Sequence, residues 1–541
     1  MNDSVSFEVK TKKLIDDLKS VCANYGLGND GNEFKIITQI FLYKFLNDKF
    51  ITEIKKINTS LSKSKNIEKD LNDYSKNDYK MMLLELNENT AKFYPSQFIS
   101  SLFEKQNEPN FSNIFDNSLL EIANQNSDLF SVFTSTGEKI RLFENISKYV
   151  SDKRDEFCKA IVNKIINFSF EEVFEEGFDF FSTIFEYLIK DYNSNSGGKY
   201  AEYFTPHTVS KIIASCLVDT KVKDVRCYDP SAGSGTLLMN IANIIGEDKC
   251  TIYSQDISQK SSHLLRLNLI LNNLVHSIPN IVQGNTILEP FHKSDDGNFS
   301  TFDFIVSNPP FKLDFSDYRD DLETKHNNNR FFAGIPKIAK KKKDSMSIYQ
   351  LFIQHILFSL NKNGKASIVV PTGFLSAKSI DMTIREEIIN KKILTGVISM
   401  PSNIFATTGT NVSIIFLNKE NNNDEVILID ASSLGEKIKI DDTQRTILSE
   451  EDEKKIINVF KNRQIIDEFS VTPKFDEIKK NKYSLNAGSY FDVKAEYKNI
   501  TNDQFKEDLN KFKNEIEESS KKSRKLEEKL YSYINEVLVK E

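Results

Sequence analysis

The residues with the clearest chemical content are Phe302-Asp303-Phe304-Ile305-Val306-Ser307-Asn308-Pro309-Pro310-Phe311. An apolar run ends in Asn-Pro-Pro-Phe. Pro309 biases Asn308 toward extended backbone, and the two rings fix φ at both prolines. The segment reads as a strand ending in a stiff loop. The carboxamide oxygen of Asn308 and the carbonyl of Pro309 are acceptors that can take both hydrogens of an exocyclic amino group. Phe311 offers a face to the ring carrying that amine. An aryl amine is a poor nucleophile because its lone pair is delocalised. Two fixed acceptors favour the geometry in which its nitrogen attacks an electrophile. The competing reading is a plain strand-ending turn, since Asn-Pro often opens turns.

A second constellation is Val225-Arg226-Cys227-Tyr228-Asp229-Pro230-Ser231-Ala232-Gly233-Ser234-Gly235-Thr236. It reads as strand, tight small-residue turn and helix, and its glycines let the backbone approach a ligand. The third glycine of a dinucleotide fingerprint is absent, because Leu238 stands there. Twenty-one residues after Gly235 comes Asp256, at the end of the next candidate strand. An acid there can accept from both hydroxyls of a ribose. Asp229, ahead of the glycines, suits a cofactor that carries an amine, such as the methionine part of S-adenosylmethionine. A strand-end cap is the alternative for Asp256 taken alone. Asn285, after a third candidate strand, could bond an adenine amino group. Glu202-Tyr203-Phe204-Thr205-Pro206-His207 precedes a helix start signalled by Thr205-Pro206. Its aromatic pair could cover a cofactor or simply join the core.

These residues need a scaffold, and the pattern between 199 and 430 supplies one. Candidate strands are 225–228, 251–254, 281–283, 302–306, 366–370, 394–399 and 412–417, with candidate helices at 234–245, 258–271, 348–360 and 380–390. Such alternation predicts a doubly wound α/β sheet. The Asn-rich stretch 420–424 predicts an antiparallel hairpin between 412–417 and 426–429. Residues 1–190 read as a helical N-terminal domain, from helical spacing at Leu14, Leu18, Val21 and Cys22 and again over 34–45, 157–166 and 178–188. Residues 191–199 read as a linker, 191–480 as the catalytic domain and 481–541 as a helical arm. In the arm, Phe505, Leu509, Phe512, Ile516, Leu526, Leu530, Tyr533 and Val537 form a heptad-like stripe. It suits either packing on its own domain or a coiled coil with a partner chain.

Composition narrows the class. The chain has 541 residues with net charge −7, so it is no globally basic nucleic-acid coat. Hydrophobic residues at 39% and charged residues at 28% exclude a wholly disordered chain. Five cysteines without a C-x-x-C pair argue against zinc and for reduced, buried thiols in a cytoplasmic protein. The N-terminus has no signal-peptide pattern, and no apolar run has the length of a membrane span. No metal site is expected.

The order Tyr-Phe-Thr-Pro, Asp-Pro-Ser-Ala-Gly-Ser-Gly, Gln-Asp, Asn-Pro-Pro-Phe resembles DNA amino-methyltransferases acting on N6 of adenine, and within them the modification (M) subunit of type I restriction-modification systems. Segments 330–336, 364–371 and 400–419 resemble later parts of the same family. The resemblance implies a seven-stranded S-adenosylmethionine-dependent methyltransferase domain with antiparallel last strands. It implies that Glu202, Tyr203, Phe204, Thr205, Pro206 and His207 wrap the methionine side of the cofactor. Asp229, Ser231, Gly233, Ser234 and Gly235 would hold it at the first turn, with Asp256 on the ribose and Asn285 near the adenine. Asn308, Pro309 and Pro310 would grip the target amine, and Phe311 would stack on an adenine flipped out of double-stranded DNA. Two departures stand out: Asp256 where many members carry Glu, and Asn285 where others carry Asp. The expected partners are a specificity (S) subunit, shared by two copies of this chain, and a restriction (R) subunit. The basic run Lys337, Lys340, Lys341, Lys342 and Lys343 suits DNA phosphates or a solvated loop equally. Outside this resemblance, the Asn-Pro-Pro-aromatic loop would also serve N4-cytosine or glutamine-amide methylation, and a scaffold without turnover would keep the same fold.

Overall fold

A computed structural model describes residues 7–28, 31–64, 66–174, 178–195, 205–218, 221–294, 296–323, 329–338, 342–405, 411–440, 443–491 and 501–538. The chain divides into two compact units, Met1–Tyr490 and Phe491–Glu541.

The first unit is built on a sheet of eleven strands. In chain order the strands are β1 (Val132–Thr134), β2 (Lys139–Ile140), β3 (Val225–Asp229), β4 (Cys250–Asp256), β5 (Ile281–Gln283), β6 (Phe302–Ser307), β7 (Leu360–Pro371), β8 (Leu394–Ser399), β9 (Val412–Asn418) and β10 (Ile427–Asp430). A separate two-stranded sheet holds β11 (Glu436–Ile440) and β12 (Thr443–Ile447), and β13 (Ser470–Val471) completes the main one. Across the main sheet the order is β2-β1-β5-β4-β3-β6-β7-β9-β8-β10-β13. The strands β5, β4, β3, β6 and β7 are parallel, and the mostly apolar β6, buried along nearly its whole length, lies near their middle. From β3 the chain winds outward through β4 and β5, then returns to place β6 and β7 on the other side. The β3/β6 boundary is therefore the switch point at which doubly wound sheets bind ligands.

The hairpin predicted from the Asn-rich stretch 420–424 does not form. Strand β9 is already antiparallel to β7 on one side and to β8 on the other. With no free edge there, β10 passes to the outer edge of β8 and pairs in parallel. The expected seven-stranded core is present as β5-β4-β3-β6-β7-β9-β8; of its last strands, expected to be antiparallel, β9 is so and β8 runs with the parallel set.

The helical N-terminal region contains the helices Phe7–Asn24, Glu33–Ile57, Phe111–Gln125, Arg154–Ile165 and Phe178–Asn195. The last runs through 191–195, a stretch that composition marks as linker; 196–199 lie outside the described residues. The region also contributes β1 and β2, which extend the catalytic sheet through a parallel pairing of β1 with β5. One contiguous apolar core runs from Leu14 through Ile161 and Ile252 to Phe469. Arg266, fully buried in the helix Gln259–Leu271, reinforces the junction by donating to the carbonyls of Phe130, Ile140, Arg141 and Leu142. The described residues of the second unit hold the helix Asn502–Leu538. No helix among the described residues is long and apolar enough to cross a membrane.

Candidate active site at the strand ends

The turn after β3 is shaped by its glycines. Gly235 sits at φ +83°, and a Cβ on it would lie 2.2 Å from Leu265 Cδ1. The helix Thr236–Ile245 thereby starts against the helix Gln259–Leu271, and the turn's N–H groups face the strand ends. The N–H of Gly233 donates to Asp256 Oδ2 (3.0 Å) and the N–H of Ser258 donates to Asp256 Oδ1 (2.8 Å). Asp256 is thus locked between the two turns. Burial pushes its pKa up, against the lowering by those N–H groups and by Ser261.

Asp229 lies beside it, fully buried, with Oδ1 accepting from the Ser231 N–H at 2.9 Å. Burial, and to a lesser extent the Asp256 carboxylate, push its pKa up to about 8, opposed by hydrogen bonds from Ser231 and Ser307. A carboxylate held this way is an unfavourable anion that an approaching ammonium group would relieve. Ser231 Oγ and Ser307 Oγ lie 2.7 Å apart, joining the turn after β3 to the end of β6.

Asn308 stands one residue past β6. Its Nδ2 donates to Thr205 Oγ1 at 3.1 Å. With the amide's donor end engaged, its oxygen is left as the acceptor. Thr205, Asp229, Ser231, Ser234, Thr236 and Asn308 line one small cleft. Thr205 lies just ahead of the helix His207–Leu217, and Pro206 accepts the Ser210 N–H in that helix's first turn. His207 contacts Ser182 Oγ through Nδ1 (3.2 Å) and so faces the helix Phe178–Asn195. Glu202, Tyr203 and Phe204 lie outside the described residues.

Phe311 is half-buried and meets Tyr349 edge to face, centroids 6.4 Å apart, while Tyr349 meets Phe374 in the same manner. The Tyr349 hydroxyl donates to Asp381, which also accepts from Gln350. The loop after Phe311 has its own apolar cluster, with Phe315, Phe331 and Leu351. The helix Tyr349–Ser359 clamps it through Gln354, which accepts from Ala333 N (2.7 Å) and donates to Gly334 O (3.1 Å). Asn285 stands two residues past the end of β5. Its oxygen accepts the N–H groups of Ile287 and Leu288 and so forms the turn after β5. Lys337, Lys342 and Lys343 are exposed, and Lys340 and Lys341 lie outside the described residues.

Sequence reasoning missed Ile257. It is 61% exposed between Asp256 and Ser258, an apolar face at the end of β4. An apolar residue directly after a strand-end acid was its only signal. The Thr205–Asn308 contact spans 103 positions and had none.

Asn308, Asp229 and Asp256 thus meet at the ends of β6, β3 and β4, the arrangement expected of an amino-methyltransferase. A family model described as N-6 DNA Methylase matches residues 176–499. The chain belongs to this family. As an N-6 DNA methylase it is an enzyme that methylates the N6 position of adenine in DNA. Among its relatives is the MpnII methylase subunit of a type I restriction enzyme from Mycoplasma pneumoniae, 28% identical over 395 residues, covering 71% of this chain and 69% of that protein. The MjaVIII methylase subunit from Methanocaldococcus jannaschii is 25% identical over 496 residues, covering 89% and 79%. The structure of a type I restriction-modification methyltransferase subunit from Streptococcus thermophilus superposes with TM-score 0.70 at 21% identity, covering 90% of this chain and all of that one. The fold shared with that structure therefore extends beyond the catalytic sheet into the N-terminal helices.

Proposed function

We propose that this N-6 DNA methylase is the modification subunit of a type I restriction-modification complex, with S-adenosylmethionine as methyl donor. The observation that carries the catalytic assignment is the Asn308 carboxamide, its nitrogen engaged by Thr205, at the β3/β6 switch point beside the buried Asp229 and the half-buried Asp256. The donor set fits the cofactor. Asp229 would take the ammonium of its methionine part, Asp256 the ribose hydroxyls, and Ile257 would lie along the adenine. When bound, the cofactor supplies an electrophilic methyl group. The protein's part is to hold the acceptor nitrogen. Asn308 Oδ1 and the Pro309 carbonyl accept its two hydrogens, which directs its lone pair toward the cofactor side. Pro310 stiffens the loop, and Phe311, backed by Tyr349, stacks on the flipped base. Extracting that base from the duplex costs about a few kcal/mol, which stacking helps to offset. Thr205, Pro206 and His207 would close the methionine side together with Glu202, Tyr203 and Phe204. Gly233, Ser234 and Gly235 shape the turn, and Asn285 contributes by forming the wall after β5.

Sequence reading would fall to a separate specificity subunit. The exposed stripe Phe505, Leu509, Phe512, Ile516, Leu526, Leu530 on the helix Asn502–Leu538 supports a coiled-coil contact with it, and two copies of this chain per specificity subunit would serve the two strands of a site. A restriction subunit would complete the assembly, acting on chromosomal DNA in the cytoplasm. The test is methyl transfer from labelled S-adenosylmethionine to unmethylated bacterial DNA, using this chain co-expressed with its specificity partner. N6-methyladenine that disappears with Asn308→Ala is the expected result. N4-methylcytosine as product, or N6-methyladenine undiminished by Asn308→Ala, would overturn the assignment.

A further inference from the structure

A second cleft, of about 570 Å³, shares no lining residue with the small cleft at the strand ends. Its walls are the helix Glu33–Ile57, the segment 139–148 that follows the β1–β2 turn, and the first turns of the helix Gln259–Leu271. That volume is typical of a small-molecule pocket. Its charge is opposite to that of the chain. Lys35, Lys139, Arg141, Lys148 and Lys260 line it, with Glu144 as the one lining carboxylate. Lys148 is paired with Glu144 at 2.6 Å and Lys139 with Asp128 at 2.7 Å, whereas the Arg141 guanidinium has no partner among the described residues. In a protein of net charge −7, such a recess focuses positive potential locally.

The lining also has an apolar part, with half-buried Phe34 and Leu120, and two carboxamides, Asn145 and Gln259, whose side chains make no hydrogen bond among the described residues. His263 completes the wall. Burial, with a smaller push from Arg266, holds its pKa down to about 3, so the ring is neutral, and its Nε2 is buried without a hydrogen-bond partner. Cations, a flat apolar surface and free amide edges together match a base joined to phosphates. A DNA duplex would offer mainly its phosphates here and leave the apolar surface and the amides unused.

We propose that this cleft is a binding site for a nucleoside polyphosphate, separate from the cofactor site. Its phosphates would lie against Arg141 and the neighbouring lysines, and its base against Phe34 within reach of Asn145 or Gln259. The test is calorimetric titration of the full chain with ATP, with and without saturating S-adenosylmethionine, in parallel with inorganic triphosphate and a DNA duplex. The expected result is saturable ATP binding that persists with the cofactor present, is at least tenfold tighter than triphosphate, and weakens at least tenfold in Arg141→Glu/Lys260→Glu. Cofactor binding by that variant should be unchanged, which shows that it is folded. Four results would overturn the proposal: no saturable ATP binding, displacement of ATP by the cofactor, equal affinity for triphosphate, or a charge reversal that weakens only duplex binding.

Discussion

At the scale of single residues, the site depends on how two polar side chains are held. Asn308 can grip an amine only if its oxygen points at it, and Thr205 fixes that orientation. Thr205→Ala should therefore lower kcat about ten- to a hundredfold with little change in cofactor affinity, and Thr205→Ser should restore most of it, as single-turnover methylation assays would read. Asn308→Ala, which removes the acceptor itself, should cost about a hundred- to a thousandfold. Asp229 gives a pH signature. Its pKa in the free protein is pushed up to about 8, so at pH 6–7 it is mostly protonated, and engaging an ammonium requires it to lose that proton. Cofactor affinity should rise as pH increases, approaching about tenfold per unit below pH 8, and level off near 8. The linked stability runs the other way. A raised carboxyl pKa favours the folded state at low pH, and this contribution is lost as pH rises from the unfolded value toward 8. Titration of the cofactor between pH 6 and 8.5 checks the first, and Asp229→Asn should flatten the profile.

At the scale of elements, sequence and structure agree where a strand is buried on both faces and carries its motif at the end. The strands β3, β4 and β6 were legible because short β-branched or aromatic stretches end at Asp229, Asp256 and Asn308, and parallel packing brings those ends to one edge. The strands β1 and β2 were not legible. They have three and two residues, too few for a period, and β1 is defined by a partner far along the chain. The path of β10 was also hidden, because the Asn-rich stretch 420–424 permits a hairpin and only the prior occupation of both β9 edges forbids it. Two element contacts can be tested by denaturant unfolding. Arg266→Met removes the guanidinium from four carbonyls and should destabilise the first unit by at least about 3 kcal/mol. Gly235→Ala puts a methyl against Leu265 at a positive φ and should cost about 1–3 kcal/mol, with cofactor binding weakened because the turn shifts.

At the scale of the whole molecule, the two compact units suggest a division of labour. The first holds the chemistry. The second presents a stripe of large apolar residues, more exposed than a chain acting alone would tolerate on a long helix. Leu526→Asp/Leu530→Asp should abolish co-purification with the specificity partner while leaving cofactor affinity and thermal midpoint within error. Sequence alone exposed the period of this stripe but could not choose between packing at home and packing on a partner, because periodicity is the same for both.

The parallel pairing of Phe133 with Val282 also governs the order in which the protein can be made. The segment carrying β1 emerges from the ribosome about 150 residues before β5 does. At ordinary translation rates that is a delay of roughly 10–30 s. During it the N-terminal helices can form, but their sheet edge, and the carbonyls that Arg266 will bind, stay unpaired. A nascent chain stalled before residue 281 should therefore be markedly more protease-sensitive at 130–142 than one stalled beyond residue 310 and the ribosomal tunnel.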